Sequence, residues 1–179
     1  MKHTKPKIIL FGPPAVGKTH IGKLLAKESG LTFYDGDNEM TPHERGLVSR
    51  GQWDDKNRQT LLTRMAQTIN QLDSNSPKGV VISVALTRQW MREFLNDQCG
   101  PLNFVLVRSS LLNNELENLV STRHHEGHPI TVESFRKFTS QFESPAIPHL
   151  TLDNPQDENQ EHILKDRIHQ LMKQLSITD

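Results

Sequence analysis

The sequence predicts a three-layer α/β/α fold in which a five-stranded parallel sheet lies between two layers of helices. Two observations predict this class. Short apolar runs alternate with longer stretches of helical periodicity, which is the pattern of βαβ units. A glycine-containing loop follows the first apolar run and leads directly into the first helical stretch. At 179 residues the chain has the length of one such unit, and we expect residues 1–179 to form a single domain.

The predicted elements follow one another in regular alternation. The first strand is expected at Lys7–Phe11 and the first helix at Lys18–Ser29, with Gly30 as its C-cap. The other strands are expected near residues 31–34, 80–86, 103–107 and 149–152. The other helices are expected near residues 54–72, 88–97, 111–122, 132–142 and 158–175. The polar stretch from 38 to 53, which contains Pro42, Gly46 and Gly51, predicts short helical turns and loop.

The loop between the first strand and the first helix fits the pattern G-x-x-x-x-G-K-[ST]. Its members are Gly12, Pro13, Pro14, Ala15, Val16, Gly17, Lys18 and Thr19. The backbone N–H groups of such a loop, together with the N-terminus of the next helix, bind phosphate oxygens. In this arrangement Lys18 reaches the β- and γ-phosphates of a nucleotide, and the Thr19 hydroxyl binds Mg²⁺. We therefore expect ATP and Mg²⁺ at this loop.

Two carboxylates close the second predicted strand, in the sequence Asp35-Gly36-Asp37. Ligands in parallel sheets of this class bind beyond the carboxyl ends of the strands, so both side chains are expected near the phosphate loop. We predict that Asp35 holds Mg²⁺ with Thr19. Asp37 is predicted to be catalytic, orienting or deprotonating an acceptor hydroxyl. A turn that binds no ligand is the alternative, because Asp and Gly are common turn residues.

Three arginines are candidates for binding an acidic substrate. Arg58 lies at the start of the long helix, and Arg88 and Arg92 follow the third strand one helical turn apart. A guanidinium group binds a carboxylate through two parallel hydrogen bonds, so these residues are predicted to hold a substrate acid. Arginines that face water on a helix surface are the alternative.

A basic and histidine-rich stretch, with the sequence Arg-His-His-Glu-Gly-His-Pro from residue 123, separates two predicted helices. The spacing of its three histidines fits no common zinc-ligand pattern. We predict instead a mobile lid at about residues 123–131. Its closure would exclude water and bring Arg123 onto the nucleotide phosphates as a catalytic residue.

Composition narrows the classes of partner and the compartment. Lys and Arg number 21 and Asp and Glu number 21, so no basic surplus indicates a nucleic-acid or membrane partner. Cys99 is the single cysteine, which rules out an intrachain disulfide. The apolar run after the basic N-terminus is too short for a signal peptide, and no stretch approaches the length of a membrane span. We expect a cytoplasmic protein, and a homodimer is compatible with the sequence.

With these residues assembled, the chain resembles the gluconate kinase family of P-loop kinases, which is related to the shikimate kinases. Four segments carry the resemblance, at residues 12–19, 33–37, 55–58 and 83–86, the last followed by Arg92. A weaker fifth consists of Arg123 with Gly127 and His128, then Ser140-Gln141-Phe142-Glu143 and Pro145.

The resemblance implies a P-loop kinase fold and transfer of the ATP γ-phosphoryl group to a hydroxyl of a sugar acid. It implies that Lys18 and Thr19 hold the ATP phosphates and Mg²⁺, and that Asp35 and Asp37 face metal and substrate. It further implies that Arg58 binds the substrate and that Arg123 is the lid arginine.

The chain departs from the family pattern in the part that binds the acceptor. Met40-Thr41 stands where the family has His-Pro, Asn57 replaces an aspartate, and Thr87 replaces a lysine. A shikimate kinase and a nucleoside or nucleotide kinase of similar fold are therefore alternatives, although the triple-glycine loop of shikimate kinases is absent after the third strand. An ATP-binding regulatory module without kinase activity is an alternative of another class.

Overall fold

The computed structural model describes residues 5–128, 130–156 and 160–177. The strands within these ranges are β1 (Lys7–Phe11), β2 (Thr32–Asp35), β3 (Val80–Val84), β4 (Asn103–Ser109) and β5 (His149–Asn154). The α-helices are α1 (Lys18–Ser29), α2 (Pro42–Ser49), α3 (Asp55–Asn75), α4 (Gln89–Cys99), α5 (Asn113–His125), α6 (Val132–Ser140) and α7 (Gln160–Gln174). A short 3₁₀ helix, Gly36–Glu39, follows β2 directly.

The five strands form one parallel sheet in the order β2-β3-β1-β4-β5. β1 lies in the middle, where Ile9 pairs with Ile82 of β3 and with Phe104 of β4. The chain leaves β1 in one direction along the sheet and returns on its other side, so the order reverses at β1. The crevice beyond the carboxyl end of β1 is the place where such sheets bind ligands.

Helices cover both faces of the sheet, which confirms the predicted three-layer class. Alternate side chains of β1 belong to different apolar clusters, as expected for a strand buried on both faces. Ile8 and Leu10 pack in the cluster that contains residues of α1 and α7. Ile9 and Phe11 pack in the cluster that contains residues of α3 and α4. No helix among the described residues is long and apolar enough to cross a membrane.

The stretch expected to be turns and loop contains the complete helix α2. Thr41 caps it: the Thr41 hydroxyl accepts a hydrogen bond from the Glu44 N–H, and the Glu44 carboxylate accepts one from the Thr41 N–H. Pro42 occupies the first helical position, where its missing N–H costs nothing. This reciprocal cap with proline stabilises a helix of eight residues that has little apolar periodicity.

Two predicted boundaries bear on the functional site. Helix α5 extends to His125, so Arg123 lies in its last turn rather than in a loop. The predicted start of the last helix at residue 158 lies outside the described residues, where α7 begins at Gln160. Pro129 of the predicted lid also lies outside them.

Candidate active site

The predicted phosphate loop has a backbone conformation that requires its glycines. Gly17 has φ 94°, and a Cβ at this position would collide with the Asn154 side chain. A Cβ on Gly12 would lie 2.5 Å from the carbonyl oxygen of Val107. Ala15 adopts φ 65°, which is uncommon outside glycine and asparagine. The loop is therefore shaped by close contacts with β4 and β5 as well as by its own sequence.

Lys18 folds back over this loop. Its Nζ donates to the carbonyl oxygen of Pro13 at 2.7 Å and to that of Gly12 at 3.2 Å. Burial of the ammonium group lowers the pKa of Lys18 to about 8, although the nearby carboxylates of Asp37 and Asp35 act in the opposite direction. The lysine is thus a desolvated cation that its present partners stabilise only weakly.

Thr19 and Asp35 together provide oxygen atoms suited to Mg²⁺. The Thr19 hydroxyl donates to Asp35 Oδ2 at 3.0 Å, and Asp35 Oδ1 accepts from the Asp37 N–H at 3.1 Å. A hydroxyl and a carboxylate at this spacing fit Mg²⁺, which binds few protein oxygens and keeps several waters. Within the described ranges no group of three or more His, Cys, Asp or Glu residues is arranged to hold a metal ion.

Asp37 lies at the start of the 3₁₀ helix, half-buried beside the phosphate loop. Burial of the carboxyl group raises the pKa of Asp37, and the neighbouring Asp35 carboxylate raises it further. Lys18, His128 and Arg45 oppose this shift, which shows that all three are close to the carboxylate. A carboxylate held among cations in a crevice is suited to orient a hydroxyl group and to accept its proton.

A cavity of about 190 Å³ joins the phosphate loop to the residues after β2 and β3. Its charged lining residues are Lys18, Asp37, Arg45, Arg58 and Arg123. Its other lining residues are Pro14, Ala15, Gly17, Thr19, His20, Met40, Val48, Trp53, Leu61, Leu62, Met65, Val84, Ala85, Thr87, Met91, Val120, His128, Ile130 and Phe138. Four of the predicted site residues outside the phosphate loop therefore meet different fates: Asp37, Arg58 and Arg123 line the cavity, and Asp35 lies behind it on Thr19.

Arg58 is 4% exposed although it carries a charge. Its Nη1 donates to Asp55 Oδ1 at 2.9 Å and its Nη2 donates to Gln141 Oε1 at 3.1 Å. The guanidinium carbon lies 6.0 Å from the centre of the Phe138 ring. These contacts hold the cation in one orientation at the cavity wall, as a substrate-binding arginine requires.

The prediction that Arg88 and Arg92 form a substrate clamp needs correction, because neither residue lines the cavity. Arg92 is 0% exposed and donates to the carbonyl oxygens of Leu86 at 3.1 Å and Glu143 at 2.7 Å. Its guanidinium lies 5.0 Å from each of two phenylalanine ring centres, those of Phe11 and Phe142. Burial lowers the pKa of Arg92.

Arg88 also binds the segment around Glu143 rather than facing the cavity. Its Nε donates to Glu143 Oε1 at 2.7 Å, and the other carboxylate oxygen accepts from the Gln89 N–H at 2.6 Å. Glu143 thus caps the N-terminus of α4 from a distant part of the chain, and the Gln89 N–H lowers the pKa of this carboxyl group. The two arginines fasten the segment that carries Gln141 to Arg58.

Sequence reasoning missed two polar side chains of the cavity as binding residues. Arg45 of α2 donates to the Asp37 carbonyl oxygen at 2.8 Å, and His128 lies at the exposed side of the lining. His128 belongs to the segment that resembles the lid, but Arg45 has no motif around it. The capping sequence from Thr41 was the available signal for the helix that carries Arg45. Trp53, expected to be a packing residue, is 7% exposed and lines the cavity as well.

Asn154 connects the end of β5 to the phosphate loop. Its Nδ2 donates to the Val16 carbonyl oxygen at 2.9 Å, and the residue is 2% exposed. Its Oδ1 is buried and meets no donor among the described residues. The segment Asp153-Asn154-Pro155, expected from its place after the last strand to lie under a base, is therefore first of all a support for the loop.

Known proteins share both the motif region and the fold. A family model described as shikimate kinase matches residues 14–102. The shikimate kinase of Acinetobacter baumannii (strain AYE) is 32% identical over 98 residues, which cover 53% of this chain and 53% of that protein. The chain is related to the shikimate kinases. The match spans about half the length of that relative and ends before β4, so α5, α6 and β5 lie outside it.

Solved structures extend the likeness over nearly the whole chain. A sugar kinase from Janibacter sp. HTCC2649 superposes with a TM-score of 0.77 at 21% identity, covering 97% of this chain and 96% of that one. A gluconokinase from Sinorhizobium meliloti 1021 superposes with a TM-score of 0.72 at 20% identity, covering 98% of each chain. At these identities the likeness shows the fold, which is the P-loop kinase fold expected from the motifs.

Proposed function

We propose that the chain is a small-molecule kinase that uses ATP and Mg²⁺ to phosphorylate a hydroxyl group of a small hydroxylated acid. Its motifs resemble those of gluconate kinases, so sugar acids of the gluconate type are the first acceptors to test. The observation that carries the proposal is that Lys18, Asp37 and Arg58 line one cavity. A phosphate-binding lysine, a carboxylate for the acceptor hydroxyl and a buried cation for the acid thus share one site.

In this proposal the donor phosphates lie along the loop. Lys18 exchanges the carbonyl oxygens of Gly12 and Pro13 for phosphate oxygens, which stabilise its charge more strongly. Thr19 and Asp35 are the protein residues that would hold Mg²⁺. When bound, Mg²⁺ neutralises the charge that develops on the phosphate oxygens during transfer.

The acceptor hydroxyl lies against Asp37 in this arrangement. Its oxygen forms a bond to the γ-phosphorus while the bond between that phosphorus and the bridging oxygen breaks, so ADP leaves. Asp37 orients the hydroxyl and receives its proton, and the raised pKa of this carboxyl group suits it for that role. Arg58 holds the acid group at the cavity wall.

Arg123 comes from the last turn of α5 and reaches the cavity from the side opposite the sheet. We propose that the segment at about residues 123–131 closes over the bound phosphates as a mobile lid. Closure excludes water from the reaction and adds the Arg123 charge to the transferring phosphoryl group.

The test is acceptor-dependent formation of ADP over a panel of sugar acids, other hydroxy acids and nucleosides. At least one acid is expected to react, and Lys18→Ala should abolish that reaction. Lys23→Ala is the matched control, because Lys23 is an exposed lysine of the same helix. Turnover no higher than that of Lys18→Ala on every acceptor would overturn the proposal. Tight ATP binding without any transfer would favour the regulatory module.

Asp37→Asn separates the acceptor role from nucleotide binding. We expect kcat to fall by about 10²–10⁴-fold, because the variant cannot accept the hydroxyl proton. The affinity for ATP should be retained within a few-fold. Asp97→Asn, on the exposed surface of α4, is the control and should keep full activity.

A further inference from the structure

The wall of the cavity between the phosphate loop and Arg58 consists largely of carbon. Val48, Trp53, Leu62, Met65, Val84 and Phe138 all contribute to it. The first five are at most 7% exposed and belong to the same apolar cluster of the core. Whatever occupies the middle of the cavity therefore contacts the surface of the hydrophobic core.

The polar side chains of the lining are mostly hydrogen-bond donors. Lys18, Arg45, Arg58 and Arg123 are cations, and Asp37 is the one carboxylate among the lining residues that the structure describes. The Thr87 hydroxyl, another lining group, lies 3.9 Å from the Met91 sulfur. A buried hydroxyl group needs an acceptor for its proton as well as a donor. The lining can satisfy one acidic hydroxyl and one anion, but it offers little to a chain of further hydroxyls.

We propose that the acceptor is an anionic hydroxy acid with an apolar body, which places one hydroxyl at Asp37 and one carboxylate at an arginine. Carbon atoms without hydroxyls lie between these two ends, against the apolar wall. This inference rests on the proposed function and narrows it away from polyhydroxylated sugar acids. The reaction is unchanged: the hydroxyl oxygen bonds to the γ-phosphorus, ADP leaves, and the proton passes to Asp37.

A matched pair of acids tests the inference. Gluconate and 6-hydroxyhexanoate have the same six-carbon chain, the same carboxylate and the same terminal hydroxyl, and differ in the four inner hydroxyls. We expect 6-hydroxyhexanoate to bind at least about tenfold more tightly, because each inner hydroxyl would be buried without an acceptor. Binding is measured by isothermal titration with a non-hydrolysable ATP analogue present, and kcat/KM is measured with ATP.

Two further measurements locate the effect in this cavity. In the series from 4-hydroxybutanoate to 6-hydroxyhexanoate, each methylene should raise the affinity about fourfold while the chain still contacts the wall. Val84→Thr adds a hydroxyl to the wall at constant volume and should narrow the preference for 6-hydroxyhexanoate over gluconate. Val81→Thr is the control, because Val81 lies on the same strand and packs in the cluster on the other face of the sheet.

The outcomes are distinct for the inference and for the proposed function. Equal or tighter binding of gluconate, or no binding of either acid, overturns the inference. A preference that Val81→Thr alters as much as Val84→Thr also overturns it. If 6-hydroxyhexanoate binds as expected but no phosphoryl group is transferred to any acceptor, the proposed function fails while the inference about the cavity stands.

Discussion

Lys18 has a lowered pKa because its ammonium group is buried before any phosphate is present. A bound triphosphate favours the protonated lysine, so it raises this pKa again. Since the pKa of the free protein is about 8, the sign of the linkage is fixed. Below pH 7 the lysine is protonated in both states, whereas above pH 8 binding must take up a proton.

We therefore expect proton uptake approaching one per ATP analogue bound at about pH 9, and none near pH 6. The affinity should fall about tenfold for each pH unit above pH 8. Isothermal titration in buffers with different ionisation enthalpies measures the uptake. Lys18→Met should abolish it and Lys23→Met should not. Equal uptake in both variants would mean that another group carries the proton.

The residues predictable from the sequence were those whose role follows from local spacing. Lys18, Thr19 and Asp35 were placed correctly beside one another because a strand, a glycine loop and a helix fix their positions. Arg45 could not be placed in the same way. Its position beside Asp37 depends on how α2 packs, which no short motif specifies.

Elements are joined in this fold by side chains from distant positions, and Arg92 shows this most clearly. It lies between the rings of Phe11 and Phe142 and binds carbonyl oxygens on both sides of α4. The spacing of Arg88 and Arg92 correctly indicated one helix, but not the side of that helix each would occupy. That was decided by the segment around Glu143, about fifty residues further on.

Arg92→Met should therefore reduce the free energy of unfolding by about 2–4 kcal/mol, because it leaves buried carbonyl oxygens without donors. Arg88→Met should cost less than about 1 kcal/mol, because its ion pair with Glu143 is partly exposed. Unfolding in urea measures both values. If the two arginines formed a substrate clamp instead, both variants would raise the KM of the acid at unchanged stability.

Helices α1 and α2 show which elements a sequence specifies. α1 has apolar periodicity and ends at Gly30, which has φ 71°, so both its boundaries agreed with the prediction. α2 has eight residues and depends on its cap and on packing against other elements. Its Glu44 carboxylate accepts from Arg64 of α3 at 2.6 Å, a contact between positions twenty residues apart. Periodicity detects the first kind of helix and misses the second.

For the molecule as a whole, the donor and acceptor parts of the site share one segment. Arg123 and Ile130 line the cavity near the phosphates, and Phe138 of α6 lines it near Arg58. Helix α6 is in turn fastened to α2, because the Ser134 hydroxyl donates to the buried Val48 carbonyl oxygen at 2.7 Å. A ligand that orders either end should therefore order the other.

We expect the ATP analogue and the acceptor acid each to bind about 5–10-fold more tightly when the other is present. Ser134→Ala should weaken this coupling, because it removes the link between α6 and α2. Ser140→Ala, an exposed serine of the same helix, is the control. Isothermal titration in both orders of addition measures the coupling, which must be equal in the two directions. Independent binding would show that the two ends do not share a moving segment.

The contacts of the phosphate loop also have a consequence for synthesis of the chain on the ribosome. Gly12 fits against the Val107 carbonyl oxygen, and Asn154 holds the Val16 carbonyl oxygen. The loop is translated among the first twenty residues, yet the strand that supports it emerges more than a hundred residues later. A nascent chain should therefore remain unable to retain nucleotide until β5 has left the exit tunnel, so nucleotide cannot act as a template for the early steps of its folding.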